Sequence, residues 1–203
     1  MSTPPVRVAV LTSGVGSNMV ALVEAARRTN PAHEVVVVIS NVPDAPALGH
    51  ARARDVEAIA LDHRPFGKDR EAHEQAIDAE LGARGVEVVA LAGYMRILTP
   101  WLVGRWQGRM LNVHPSLLPK YPGLDTHARA LAAGDPEAGC TIHLVTDGVD
   151  EGPILGQTAV PIRPGDTAGS LAERVRTAEH GLYPAVLDRF CRDLLTGREK
   201  GPD

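Results

Sequence analysis

Two segments of this chain are apolar at every position: V-V-V-V-I at residues 35–39 and V-V-A-L-A at residues 88–92. A strand with one wet face alternates polar and apolar residues, so runs without alternation must be covered on both sides. Covering both sides takes helices above and below the sheet, and the flanking sequence supplies them. β-rich runs at 6–11, 34–40, 58–61, 87–91 and 109–113 alternate with Ala- and Arg-rich stretches of helical spacing at 18–28, 47–54 and 69–83. In the first stretch Val20, Val23 and Ala26 share one face, with Glu24, Arg27 and Arg28 on the other. Repetition of strand, helix, strand predicts right-handed crossovers and an α/β fold with a mostly parallel, twisted sheet.

After Pro115 the rhythm changes. A Pro/Gly-rich loop at 115–123 leads to a short helix at 126–133, strands at 141–145 and 155–161, and a final helix at 167–190 with Thr167 as its N-cap. Pro184 is expected to kink that helix, and the tail from Gly197 to fray. No repeat, linker or low-complexity tract divides the 203 residues, so one domain is expected over 1–203. Lys+Arg number 21 and Asp+Glu 25, a net charge of -4, which argues against binding a nucleic-acid backbone. Two cysteines, Cys140 and Cys191, exclude a disulfide framework or a Cys-rich zinc module. No apolar run reaches the length of a membrane span, and residues 1–7 lack the pattern of a secretory leader; a cytoplasmic location is expected.

The first β run enters T-S-G-V-G-S-N at 12–18, directly before a helix. Backbone N–H groups at a helix start, approached closely through glycines, make an anion site, to which Ser17 and Asn18 can add donors. Met19 stands where a dinucleotide fingerprint needs its third glycine, and no Gly-Lys-Ser/Thr follows, so a phosphate outside NAD or ATP fits better. The loop alone is equally compatible with a tight turn capped by Ser17.

The fifth run delivers N-V-H-P-S-L-L-P at 112–119. Residues two apart in a strand share a side, so Asn112 and His114 face one volume, near the strand end where ligands bind in open α/β sheets. Asp147 and Asp150 lie in the later turn T-D-G-V-D-E-G-P, and one of them can reach back to His114. An amide donor, an imidazole and a carboxylate suit acyl or formyl transfer. One oxyanion donor is worth about 2.7–4 kcal/mol of barrier, and positioned acid–base help roughly 10²–10⁴-fold. A carboxylate beside His114 would raise its pKa. Ser116 is a poor nucleophile candidate, because neighbouring strand-end residues are seldom arranged as nucleophile and base. The plain alternative is a structural histidine next to turn-forming acids.

His127, His143 and His180 show no metal spacing, and no metal is expected. Trp101 and Trp106 bracket a short helix as core or interface. The loop Tyr94, Met95, Arg96, Ile97, Leu98 either packs or walls a flat heterocycle. Arg70 reads as a helix-surface arginine, and Glu179-His180 as a solvated pair.

S-G-x-G-S-N at 13–18, A-G-Y-M-R-I-L at 92–98, N-V-H-P-S-L-L-P-K-Y-P-G at 112–123, V-D-E-G-P-I at 149–154 and T-A-E-H at 177–180 together resemble the phosphoribosylglycinamide formyltransferase family, in the family's order along nearly the whole chain. The resemblance implies a single-domain, Rossmann-like formyltransferase fold, with the phosphate site in the N-terminal half and the folate and catalytic sites in the C-terminal half. It implies transfer of formyl from the co-substrate 10-formyltetrahydrofolate to 5-phosphoribosylglycinamide (GAR) in purine biosynthesis. Asn112, His114 and Asp150 match the catalytic trio, with His114 as proton donor and Asp150 raising its pKa. Gly16, Ser17 and Asn18 match the substrate-phosphate loop, and Arg176, Thr177, Ala178 and Glu179 a further contact with GAR. Arg70, Met95, Arg96, Ile97 and Leu98, with Asn112 and the turn Thr146, Asp147, Gly148, Val149 and Asp150, match folate-binding positions. Val15 replaces a commonly polar residue with little expected effect, and Glu151 replaces an often small one, narrowing the folate pocket mouth.

Small-molecule substrates, no nucleic acid or membrane partner, and a monomer or homodimer are expected. Methionyl-tRNA formyltransferase, on the same fold, would carry a further nucleic-acid-binding domain for which 203 residues leave no room. A formyltetrahydrofolate deformylase-like hydrolase is the alternative enzyme, needing no phosphate loop for GAR. A catalytically silent phosphate-binding module is the non-enzyme alternative.

Overall fold

The computed structural model describes residues 4–28 and 30–200, with side chains as far as 197. Its elements run β1 (Val6–Thr12), α1 (Ser17–Ala25), β2 (His33–Ser40), α2 (Pro46–Arg52), β3 (Glu57–Ala60), α3 (Arg70–Ala83), β4 (Val88–Leu91), α4 (Pro100–Arg105), β5 (Met110–His114), α5 (Thr126–Ala132), β6 (Glu137–Leu144), β7 (Ile154–Pro161) and α6 (Ala168–Lys200). A short 3₁₀ turn, Arg64–Phe66, precedes α3. The seven strands form one sheet in the order β3-β2-β1-β4-β5-β6-β7. β1 to β5 are parallel, and β6 and β7 join antiparallel. The order reverses between β1 and β4, which creates a crevice where their C-terminal ends part.

The apolar runs do what their lack of alternation requires. Val8, Val10, Val38, Val88, Ala90, Leu111 and Val113 pack on one face beneath α1, α2 and α6. Ala9, Leu11, Val37, Ile39, Val89, Leu91 and Met110 pack on the other beneath α3 and α4. A third cluster, with Ala130, Cys140 and Val160, fills the space between α5, α6 and the antiparallel strands. Trp106 is buried in the second cluster and donates Nε1–H to Asp78 Oδ1 at 2.9 Å, so it is core.

Two expectations are corrected. β6 starts at Glu137, four residues before the expected 141, because its whole length pairs with β7 and buries residues 138–143. α6 does not fray at Gly197 but continues to Lys200, with Leu194 and Leu195 packed against the first cluster; residues 201–203 of the expected tail lie outside the described ones. The helix runs through Pro184, where one backbone bond is lost. Tyr183, Val186 and Leu187, buried around it, hold the helix to the sheet. Among the described residues no helix is long and apolar enough to cross a membrane.

Candidate active site

The glycine loop lies at the sheet's switch point, where the Ser13 N–H donates to Gly93 O at 3.0 Å. Gly16 is the N-cap of α1 with φ 81°, and a Cβ there would sit 2.5 Å from the Ala47 Cβ. Both facts demand glycine. The alternative of a turn capped by Ser17 does not hold: Ser17 is the first helical residue and no side chain caps α1. The first-turn N–H groups therefore keep their positive end free, which favours the anion reading over the capped turn. Asn18 Nδ2 donates to Glu179 Oε2 at 2.7 Å, joining residues 161 apart, while Asn18 Oδ1 is buried without a partner. Glu179 is buried, not solvated, and burial raises its pKa against the opposing Asn18 hydrogen bond and Arg176 charge. From α6 it is Glu179 that meets the loop. Arg176 is exposed, Thr177 gives its hydroxyl to Glu173 O at 3.0 Å, and Ala178 packs against the third cluster.

The loop after β4 is tied to the glycine loop, because the Met95 N–H donates to Ser13 Oγ at 2.8 Å. Ser13 Oγ in turn donates to Asn41 Oδ1 at 2.5 Å. Met95 and Ile97 are 68% and 66% exposed, large apolar side chains left uncovered. Leu98 and Tyr94 turn inward onto the second cluster, as does Val145 at the start of the later turn. Arg96 is half-buried, and Arg70 Nη1 reaches Ile97 O at 3.5 Å.

Leu111 and Val113 point into the first cluster, so Asn112 and His114 share the opposite face of β5. Antiparallel pairing places His143 of β6 directly across from Asn112. The loop after β6 returns over that face. Gly152 closes it so tightly that a Cβ there would lie 1.7 Å from Leu144 O. Asp150, at φ 57°, comes 3.2 Å from His114 Nδ1 and 3.5 Å from His143 Nε2, and accepts the Gly123 N–H at 2.9 Å. Asp147, Thr146 and Val149 are exposed, Gly148 is half-buried, and the Glu151 carboxylate lies against Gly148 within the turn. Asn112 Nδ2 stands 3.2 Å from His143 Nε2, whose Nδ1 lies 2.9 Å from Leu144 O. His143 was weighed from the sequence only as a metal ligand; its pairing with Asn112 shows only once β5 and β6 are known to be antiparallel. Ser116 gives its hydroxyl to Lys120 O at 2.6 Å, not to His114. Among the described residues no group of three or more His, Cys, Asp or Glu could hold a metal.

A sequence model described as formyl transferase matches residues 6–187. The phosphoribosylglycinamide formyltransferase of Escherichia coli is 43% identical over 192 residues, 95% of this chain and 90% of that protein. The chain belongs to the phosphoribosylglycinamide formyltransferase family. The crystal structure of a phosphoribosylglycinamide formyltransferase from Brucella melitensis aligns with a TM-score of 0.89 at 48% identity, covering 93% of this chain and 96% of that one. A trifunctional purine biosynthetic protein of Drosophila melanogaster is 45% identical over 183 residues, of which this chain spans 14%.

The protonation of His114 and Asp150 follows from their surroundings. Nε2 of His114 lies 2.8 Å from Tyr121 O and must carry a hydrogen, while Nδ1 faces the Asp150 carboxylate. Both nitrogens thus face oxygen acceptors, which favours imidazolium. Burial nevertheless outweighs the Tyr121 carbonyl and Asp150, and holds His114 below the ordinary imidazole value. The expected upward shift is therefore corrected: desolvation of a residue 5% exposed wins over its carboxylate. For Asp150, burial alone would raise the pKa. The His143 hydrogen bond, the Gly123 N–H and the two imidazoles together outweigh burial and keep it low.

Proposed function

We propose that the chain transfers the formyl group of 10-formyltetrahydrofolate to the amine of GAR, and that residues 1–203 act as one formyltransferase unit. The observation that carries this reading is the meeting of Asn112 and His114 on one face of β5 with Asp150 from the loop above, while the nearby Ser116 hydroxyl is engaged by Lys120 O. The uncapped start of α1 beside Glu179 supports phosphate binding by Gly16, Ser17 and Asn18. The exposed apolar Met95 and Ile97 support a flat folate ring against residues 95–98, with Arg70 and residues 146–150 around it.

Transfer is direct. The neutral GAR amine attacks the formyl carbon, and the carbonyl π electrons move onto oxygen. Asn112, whose Nδ2 stands 3.2 Å from His143 Nε2, offers an amide hydrogen to that oxyanion. His114, protonated and paired with Asp150, stabilises the same charge. The bond from carbon to N10 then breaks, N10 takes a proton, and the GAR nitrogen loses one. The products are formyl-GAR and tetrahydrofolate. A proton held on a buried imidazole against solvation is readily given up, which suits a donor.

Purified protein incubated with 10-formyltetrahydrofolate, with and without GAR, tests the assignment. Tetrahydrofolate release strictly dependent on GAR is expected. Release without GAR would favour hydrolysis, and a formyl-enzyme trapped by rapid quench would refute direct transfer.

A further inference from the structure

The Nε2–H of His114 ends on a backbone oxygen, and that oxygen belongs to Tyr121, whose φ is 57°. A bulky residue in the left-handed region stays there only when its surroundings hold it. Here the ties are polar. Tyr121 OH donates to Asp135 Oδ2 at 2.7 Å. The Arg129 guanidinium stands 5.1 Å over the Tyr121 ring, and its Nη1 donates to Pro122 O at 2.6 Å. Behind the segment lies a cavity of about 330 Å³ bordered by Pro115, Leu117, Tyr121, Ala130 and Asp135. Tyr121 also packs against the third cluster and the Ser116 hydroxyl lies 3.3 Å from its carbonyl oxygen, while on the cavity side the ties to Asp135 and Arg129 hold the segment.

We propose that Tyr121 and Asp135 are positioning residues for His114: their hydrogen bond holds the Tyr121 carbonyl where it fixes the imidazole with hydrogen on Nε2 and Nδ1 turned to Asp150. Neither side chain joins the contacts among Asn112, His114 and Asp150. The catalytic consequence rests on the formyl-transfer reading; the orientation of the ring does not. Besides this carbonyl, the titratable or charged groups facing His114 are Asp150 from the loop after β6, His143 from β6, and His127 and Arg129 from α5. Cutting the tie between Tyr121 and Asp135 removes none of them. What changes is the carbonyl, one of the groups that favour the protonated ring.

The test uses the full chain with Tyr121→Phe and Asp135→Ala, and Asp135→Asn as the conservative variant. The His114 imidazole is followed by NMR titration, assigned by its absence in His114→Gln, alongside steady-state kinetics. In the first two variants His114 titrates about 0.3–1 pH unit lower, and kcat falls about two- to tenfold with both KM values unchanged. Asp135→Asn keeps an acceptor for the tyrosine hydroxyl and stays within about twofold. The double variant Tyr121→Phe/Asp135→Ala is no worse than the worse single one. If Asp135→Ala does not fold, Tyr121→Phe decides. An unmoved His114 titration in folded Tyr121→Phe overturns the proposal, as does a loss confined to KM. Should the parent protein show no formyl transfer, a displaced titration still supports the positioning role, and only the functional reading fails.

Discussion

Replacing Asp150 by Asn keeps the side chain's shape and removes the charge that faces two imidazoles. The Oδ1 of Asn can still accept the Gly123 N–H, now bonded at 2.9 Å, so the turn retains its anchor. What is lost is the attraction across 3.2 Å to His114, between side chains 11% and 6% exposed. At that separation, with an effective dielectric of about 20, a full charge pair is worth about 5 kcal/mol. Removing one partner of a buried pair costs about 3–5 kcal/mol in practice. The loss falls on the step in which His114 carries positive charge, so kcat drops about 10²- to 10³-fold. On the proposed reading GAR is held through the start of α1, away from this pair, so its KM stays within about threefold. The assay is GAR-dependent tetrahydrofolate formation at saturating folate, with a thermal melt to show that the variant is folded. A folded Asp150→Asn enzyme with kcat within threefold of the parent would refute the electrostatic reasoning.

Gly16→Ala forces a Cβ to 2.5 Å from Ala47 at a left-handed backbone, and raises the KM for GAR more than tenfold with little change for folate; equal shifts in the two KM values would contradict the phosphate assignment. Tyr183→Phe removes a buried hydroxyl poised between Leu91 O and Leu111 O at 3.2 and 3.1 Å. It costs about 1 kcal/mol, seen calorimetrically as a fall in Tm of about 2–4 °C; an unchanged Tm would show those carbonyls to be satisfied without it. Stability also depends on pH. Burial holds His33, His73 and His114 below the ordinary imidazole value, so the unfolded chain binds protons that the folded chain refuses. That contribution is intact above about pH 6.5 and is lost as pH falls below it. The urea midpoint is lower at pH 5.5 than at pH 8, and equal midpoints would refute the argument.

The sheet was legible because unbroken apolar runs admit one environment, and Asn112 and His114 were legible together because strand alternation ties residues two apart. Choosing Asp150 over Asp147 needed the path of a turn, which local sequence leaves open. His143 needed the β5–β6 register, a relation set by tertiary pairing. Whether Ser17 caps the first helix was open in the sequence, and the cap position falls one residue earlier, on Gly16. Residues 137–140 read as loop beside Pro136 and Gly139, but pairing with β7 overrode that weak local preference. The direction of the His114 shift depended on how deeply it is buried, which spacing along the chain does not encode.

The hydrogen bond from Asn18 to Glu179 ties the start of α1 to α6. The helix bearing Glu179 also roofs the strands that emerge first during synthesis. Until that helix docks, Val8, Val10, Val88 and Ala90 are covered on that side by α1 and α2 alone, and the Asn18 amide lacks the carboxylate it meets. The contact between Asn18 and Glu179, which joins residues 161 apart, therefore closes late in folding.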